Sequence, residues 1–154
     1  LWLGLTWTTN PQNLLVGGVA SLIIGLIFGK LFTDEPKKVF QIQRWFWFLV
    51  YIPVFLWEMA KANFDVAARV LVSIFRPKNM PISPGIVKIK TGLKSEMGKA
   101  FLANSITLTP GTFTVDINND ILYIHCINIK HKDIKGATED IAKRFDPLLI
   151  KIFD

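Results

Sequence analysis

Residues 103–126, ANSITLTPGTFTVDINNDILYIHC, decide how this chain is read. From Thr112 onward apolar and polar residues alternate, the period-two signature of strands that bury one face. Asn119-Asp120 interrupts the alternation where a two-residue turn fits, and both residue types tolerate the left-handed backbone that tight hairpins require. That turn predicts strands over 112–117 and 121–129. It sets Ile117 against Leu122, Val115 against Ile124 and Phe113 against Cys126, with Phe113 inward and Tyr123 the exposed aromatic. Just upstream, Asn104, Ser105, Thr107 and Thr109 can satisfy orphan backbone groups at a helix end, and Pro110-Gly111 turns the chain into the strand.

Working outward, 85–90 reads as a further strand, with Ile86, or Val87 and Ile89, inward. Residues 94–107 read as a short helix with Met97, Ala100 and Phe101 on its buried face. A last helix runs from Asp133 or Thr138 to Phe153 on the stripe Ile134, Ala137, Ile141, Phe145, Leu148, Ile152, with Pro147 as an irregularity. Residues 86–154 are therefore expected to form a small α/β domain of β-α-β-β-α order. Its core is thin enough to lean on a partner. Three prolines in RPKNMPISPG place a linker over 77–85.

The N-terminal part is of another kind. The 154 residues are 51% hydrophobic with a mean hydropathy of +0.36, too apolar for an ordinary soluble domain of this size. Leu14 to Phe32 carries no charge before Lys30, and its length of about 19 residues covers most of a bilayer core. With residues 1–8 as the end of a truncated first span, 1–39 reads as a transmembrane anchor. Gly25 and Gly29 form a small-xxx-small pair for helix packing. Lys30, Lys37, Lys38 and Arg44 cluster around the TDEPKK loop, which places that side in the cytoplasm. The net charge of +6 suits contact with the anionic leaflet.

Residues 40–76 read as one long amphipathic helix lying in the membrane interface. Its uncharged stretch from Trp45 to Trp57 is short for a crossing, and Pro53 predicts a kink. Arg44, Tyr51, Glu58 and Asp65 recur every seven residues, with Lys61 and Arg69 on the same face. Arg44, Glu58, Lys61, Asp65 and Arg69 are the expected contacts to headgroups or neighbouring subunits. The flat arrangement also keeps the lysine-bearing C-terminal domain cytoplasmic. The fold class is thus a membrane α-helical N-terminal part, apolar spans plus a long amphipathic helix, followed by the small α/β domain.

Chemistry of its own is not evident. Cys126 is the single cysteine, and His125 beside it points to the opposite strand face, so the two share no metal. Ser105, Asp116 and His125 lack a nucleophile elbow, and Asp116 lies beside Tyr123. The strands offer no stacked-aromatic platform for nucleic acid. Neither a catalytic residue nor a cofactor or metal site is assigned.

The stretch ANSITLTPGTFTVDINNDILYIH resembles the signature of the E subunits of the multisubunit Mrp-type cation/proton antiporters. An E-x-x-K-x-N-x-D pattern at Glu58, Lys61, Asn63 and Asp65 and the P-G-I at Pro84 to Ile86 are similar to that family as well. The resemblance runs from the apolar span onward and departs from the family in its truncated start and brief NND turn. It marks Asn104, Thr107, Thr109, Pro110, Gly111 and Asp116 as a signature corner. It implies a multi-pass, non-catalytic accessory subunit of the cytoplasmic membrane that serves Na+/H+ antiport. Its partners would be other antiporter subunits, or those of an Mrp-linked hydrogenase or sulfur-reducing complex, and membrane lipids. The alternative from the residues alone is a membrane-tethered cytoplasmic binding module without a transport role.

Overall fold

The computed structural model describes residues 2–8, 10–32 (side chains through Phe28), 41–75 and 82–154. The TDEPKK loop, the Lys30 side chain, Arg76 and most of the proline-rich linker lie outside the described residues, as does the surrounding of Gly29. The chain divides into two compact units, Leu1–Phe40 and Gln41–Asp154.

In the first unit α1 (Trp2–Thr6) is followed by α2 (Pro11–Phe32). Asn10 caps α2 by accepting from the Gln12 N–H at 3.2 Å, and Pro11 occupies the first helical position, where its missing N–H costs nothing. The Trp2 indole N–H donates to the Asn13 carbonyl at 2.9 Å. Its ring lies so close to Gly17 that any Cβ there would fall 2.3 Å from it. Pro11–Phe28 is long and apolar enough to cross a membrane, at about 27 Å of helix.

The second unit begins with α3 (Ile42–Phe75), a single helix through Pro53, and continues β1 (Gly85–Lys90), α4 (Glu96–Leu108), β2 (Thr112–Asn118), β3 (Ile121–Cys126), α5 (Ile134–Ile141) and α6 (Asp146–Phe153). The three strands form an antiparallel sheet of order β1-β3-β2. Val87, Ile89, Leu122, Ile124 and Cys126 bury one face of it; Leu102 and Ile106 of α4, Leu149 and Ile152 of α6, and Tyr51 of α3 complete the core. α3 packs along α6.

Four expectations change in this unit. The hairpin turn is where the sequence places it, with Asn119 at φ 56° and Ile117 opposite Leu122. A β-bulge between Thr114 and Asp116 then shifts the register, so that Thr114 faces Ile124, Phe113 faces His125 and Thr112 faces Cys126. Phe113 and Val115 are consequently exposed. Hydrogen bonding explains the shift: Thr112 Oγ1 donates to the Ile106 carbonyl at 2.6 Å and Thr114 Oγ1 to the Ala103 carbonyl at 3.1 Å. Carbonyls near the end of α4 thus draw the threonines inward and displace the apolar side chains outward.

The expected final helix is two helices. Ala142–Phe145 form a turn that drops Phe145 into the core, and Pro147, which cannot donate within a helix interior, sits in the first turn of α6. β3 ends at Cys126 instead of 129, because the Ile127 and Ile129 N–H groups turn away to the Gly111 and Ser83 carbonyls, both at 2.9 Å. α4 is rotated from the expected face. Leu102, Ala103 and Ile106 are buried, while Phe101 is partly exposed against Phe153, 4.7 Å away between ring centroids.

Candidate functional site

The stripe of α3 that recurs every seven residues turns toward the α/β domain at Arg44, Tyr51 and Glu58, which form the seam on which that domain sits, while Asp65 stays half-exposed. At one end the Arg44 guanidinium donates to the Ile152 carbonyl at 2.6 Å, near the C-terminus of α6, where a cation meets the negative end of the helix dipole. One turn on, Lys151 Nζ lies 3.7 Å from the centroid of the Trp47 ring. Tyr51 follows, stacked on Phe55 at 5.9 Å and edge-on to Phe145 at 6.3 Å. Its hydroxyl is hydrogen-bonded to Ser105, which itself donates to the Phe101 carbonyl at 2.5 Å.

Glu58 is the buried carboxylate of the seam. It pairs with Lys61 at 2.5 Å and with Arg144, which also reaches Asp140 at 3.5 Å; Asp140 in turn holds Lys130 at 3.2 Å. Burial alone would raise the Glu58 carboxyl. Hydrogen bonds and charge from Lys61 and Arg144 outweigh burial and hold it below the usual carboxylate range. The result is an alternating chain of five charges from α3 to β3's outgoing loop. Asp65 and Arg69 close the far end as a helix pair at 2.8 Å.

A cavity of about 140 Å³ lies beside this chain, lined among others by Glu58, Asp65, Arg69, Pro110, Lys130 and Arg144. Two features that are far apart in sequence, the acidic and basic stripe and the signature corner, therefore meet in one place. Gly111 has φ +93°, and a Cβ on it would lie 3.1 Å from Ile127 and 3.6 Å from Val66 of α3, so this position requires glycine. Thr109 Oγ1 donates to the Ser105 and Ile106 carbonyls at 2.9 and 2.7 Å.

Thr107 and Asp116 act on the edge strand. Thr107 Oγ1 accepts from the Thr114 N–H at 3.2 Å and the Asp116 carboxylate from the Ile117 N–H at 2.8 Å. Both N–H groups are thereby withheld from any incoming strand along β2. Asn104 is exposed on α4. Cys126 is buried, which pushes its thiol up and makes it a core residue.

Sequence reading found the stripe and the corner but not what joins them. Arg144, Asp140 and Lys130 supply the domain's side of the seam, and Arg144 lies 86 residues from Glu58 with no local pattern to flag it. Thr112 and Thr114 were hidden by the apolar alternation around them. In the first unit, Gly25 has nothing within 4 Å of where a Cβ would stand, and among the described glycines there it is Gly17 that is in close contact. Lys61 and Asp65 remain about half-exposed while Glu58 is covered.

A family model described as Na+/H+ ion antiporter subunit matches residues 1–152. The chain is 29% identical over 154 residues to the Na(+)/H(+) antiporter E subunit of Alkalihalophilus pseudofirmus, covering 99% of this chain and 90% of that protein. To the Na(+)/H(+) antiporter E subunit of Bacillus subtilis it is 34% identical over 139 residues, covering 86% of this chain and 84% of that one. Among solved structures, a chain of the membrane-bound sulfane sulfur reductase, an archaeal respiratory membrane complex, superposes with a TM-score of 0.74. That chain is 45% identical, with 99% of this chain and 91% of that one covered. Apolar helix, seam and signature corner accordingly fall within one full-length relationship, and the chain belongs to the family of Na+/H+ antiporter E subunits.

Proposed function

We propose that this chain is an accessory, non-catalytic membrane subunit of a multisubunit complex built around a Na+/H+ antiporter-type module, and that it contributes to assembly and ion transport across the cytoplasmic membrane. The observation that carries the proposal is the near-full-length relationship to a chain of a respiratory membrane complex at 45% identity. The curated antiporter relatives reach 29% and 34%, so the respiratory setting is favoured over a stand-alone antiporter. Physical chemistry agrees with an accessory role. Pro11–Phe28 carries no ionisable side chain, and ion paths through a membrane are marked by such groups.

The anchor is multi-pass in this reading, and the C-terminal domain is cytoplasmic, on the side of Lys30, Lys37 and Lys38. Gly25 and Gly29 form the packing edge toward a span of a neighbouring protein. Lys61 and Asp65, the half-exposed members of the stripe, are the seam residues available to a partner.

Purification of a tagged chain from native membranes in mild detergent tests the assignment. Co-elution of large multi-spanning antiporter-like subunits together with redox subunits is expected. Elution without redox subunits favours the stand-alone antiporter, and a lone small species overturns both settings. Impermeant labelling of Asp120→Cys from the cytoplasmic side alone is the expected topology. Replacing both Gly25 and Gly29 by Leu should lower recovery of the complex more than the same change at Ile23 and Ile27.

A further inference from the structure

The domain occupies one side of α3 and leaves the other uncharged and, apart from Asn63, apolar. At roughly 100° per residue, Arg44, Glu58, Lys61, Asp65 and Arg69 all fall within about 80° of Tyr51, on or beside the seam. The opposite side of the helix has no ionisable residue between Ile42 and Phe75. It carries Phe46, Leu49, Leu56, Trp57, Phe64 and Leu71, each between 49% and 77% exposed. This strip runs the length of a 34-residue helix, roughly 50 Å. Soluble monomers rarely present contiguous apolar surface on that scale to water.

Three occupants fit such a strip in principle: a bilayer crossed end to end, helices of a partner, or the surface layer of a bilayer. Crossing is disfavoured by the seam itself. Arg44 is bonded to Ile152 near one end of the packed stretch, and Val66 lies against Gly111 toward the other. A bilayer core of about 30 Å enclosing the middle of α3 would have to enclose Arg144, Asp140 and Lys130 too, at several kcal/mol for each poorly solvated charge. Close helix packing is disfavoured along most of the strip, since interfaces between membrane helices favour small residues and only Ala60 and Ala67 interrupt a surface that is otherwise mostly Trp, Phe, Leu and Ile. The surface layer accepts that set of side chains with a charged opposite face.

We infer that the apolar face of α3 rests in the lipid interface along its whole length, parallel to the membrane plane, with the α/β domain held on its opposite side. The inference rests on the membrane-subunit reading. It assigns the lipid contact to Phe46, Leu49, Leu56, Trp57, Phe64 and Leu71, and it removes Arg44 and Glu58 from headgroup contact because the protein's own domain engages them.

Site-directed spin labels placed singly at 46, 49, 56, 64 and 71, and at 44 and 69 on the seam side, test this by collision with oxygen and with a water-soluble nickel chelate. The labelled full chain is measured in phosphatidylcholine–phosphatidylglycerol vesicles and again in the purified complex. The expected result is an oxygen-to-nickel accessibility ratio several-fold higher at the five outer positions than at 44 and 69, with one shallow depth from 46 to 71 in both preparations. A depth that changes steadily along the helix means a crossing, and high nickel accessibility outside means water; either overturns the inference. Protection of the outer positions from both reagents in the complex means a protein partner covers them and overturns it as well. Quenching of a Trp57-only variant by lipids brominated at different acyl depths gives a label-free check, with maximal quenching expected at the shallow position. Co-elution is scored separately, so a failed depth pattern leaves the assignment to the complex standing.

Discussion

α2 and α3 are both long and apolar, yet they differ in how their polarity is arranged. Pro11–Phe28 has no charge on any side, whereas α3 concentrates five charged side chains on one side and none on the other. The first pattern suits a helix surrounded by apolar matter. The second suits a boundary, with protein on one side and something apolar on the other. Mean composition would class the two helices together; only the angular placement of a few charges separates them.

A charge inserted into each helix should break the comparison most visibly. Leu22→Arg puts a cation mid-span in α2, at a cost of about 2.5–3.5 kcal/mol, and should reduce the carbonate-resistant membrane fraction strongly. Leu49→Arg on the outer side of α3 should cost only about 1 kcal/mol, because an interfacial Arg can snorkel back to water. Equal losses would make α3 a span.

Next in size are changes on the two sides of α3. Glu58→Ala removes the buried carboxylate between Lys61 and Arg144. With Arg144 partly solvent-exposed and still beside Asp140, a loss of about 1–2 kcal/mol is expected, read as a lower thermal midpoint of the domain in mild detergent. Phe64→Ala should leave that midpoint unchanged and weaken vesicle binding instead. Tyr51→Phe keeps the aromatic stack and removes one hydrogen bond to Ser105, for about 1 kcal/mol. A midpoint shift as large as that of Glu58→Ala would mean that the seam depends on its hydroxyls more than on its charges.

Acidification gives the smallest effect and does not act through Pro11–Phe28, which has nothing to titrate. Burial works to raise Asp154, but the Lys94 and Ser95 N–H groups it accepts from hold it below its ordinary value. The Gly136 N–H does the same for the α5 cap Asp133. A depressed folded pKa means stability that is present above the unfolded value of about 3.9 and is lost as pH falls through the folded one. The domain's thermal midpoint should therefore decline in that acid window, and Asp154→Asn should flatten the decline. Membrane retention through α2 should not change.

Legibility in the sequence followed how local each signal is. The apolar run of α2, the strand alternation and the recurrence of Arg44, Tyr51, Glu58 and Asp65 are all periodic, and each lies within a few turns or one strand. The bulge after Thr114 was not legible, because it depends on carbonyls of α4 that attract Thr112 and Thr114 from across the domain. Pro147 announced an irregularity but not that Phe145 would drop into the core beside it. The destination of the charge stripe was least legible. An amphipathic helix shows which side is polar, and a sequence does not say whether that side meets water, headgroups or the chain's own domain.

The seam also carries a temporal consequence. Ser105 follows Tyr51 by 54 residues, Arg144 follows Glu58 by 86, and Ile152 follows Arg44 by 108. At about 5–20 residues per second of synthesis, Glu58 leaves the ribosome roughly 4–17 s before the arginine that will cover it. During that interval α3 is one-sided, its apolar strip able to settle on lipid at once while its polar side has only water. If α3 takes the interfacial position inferred above, this order of emergence would lay the helix on the membrane first and let the domain fold onto it afterwards.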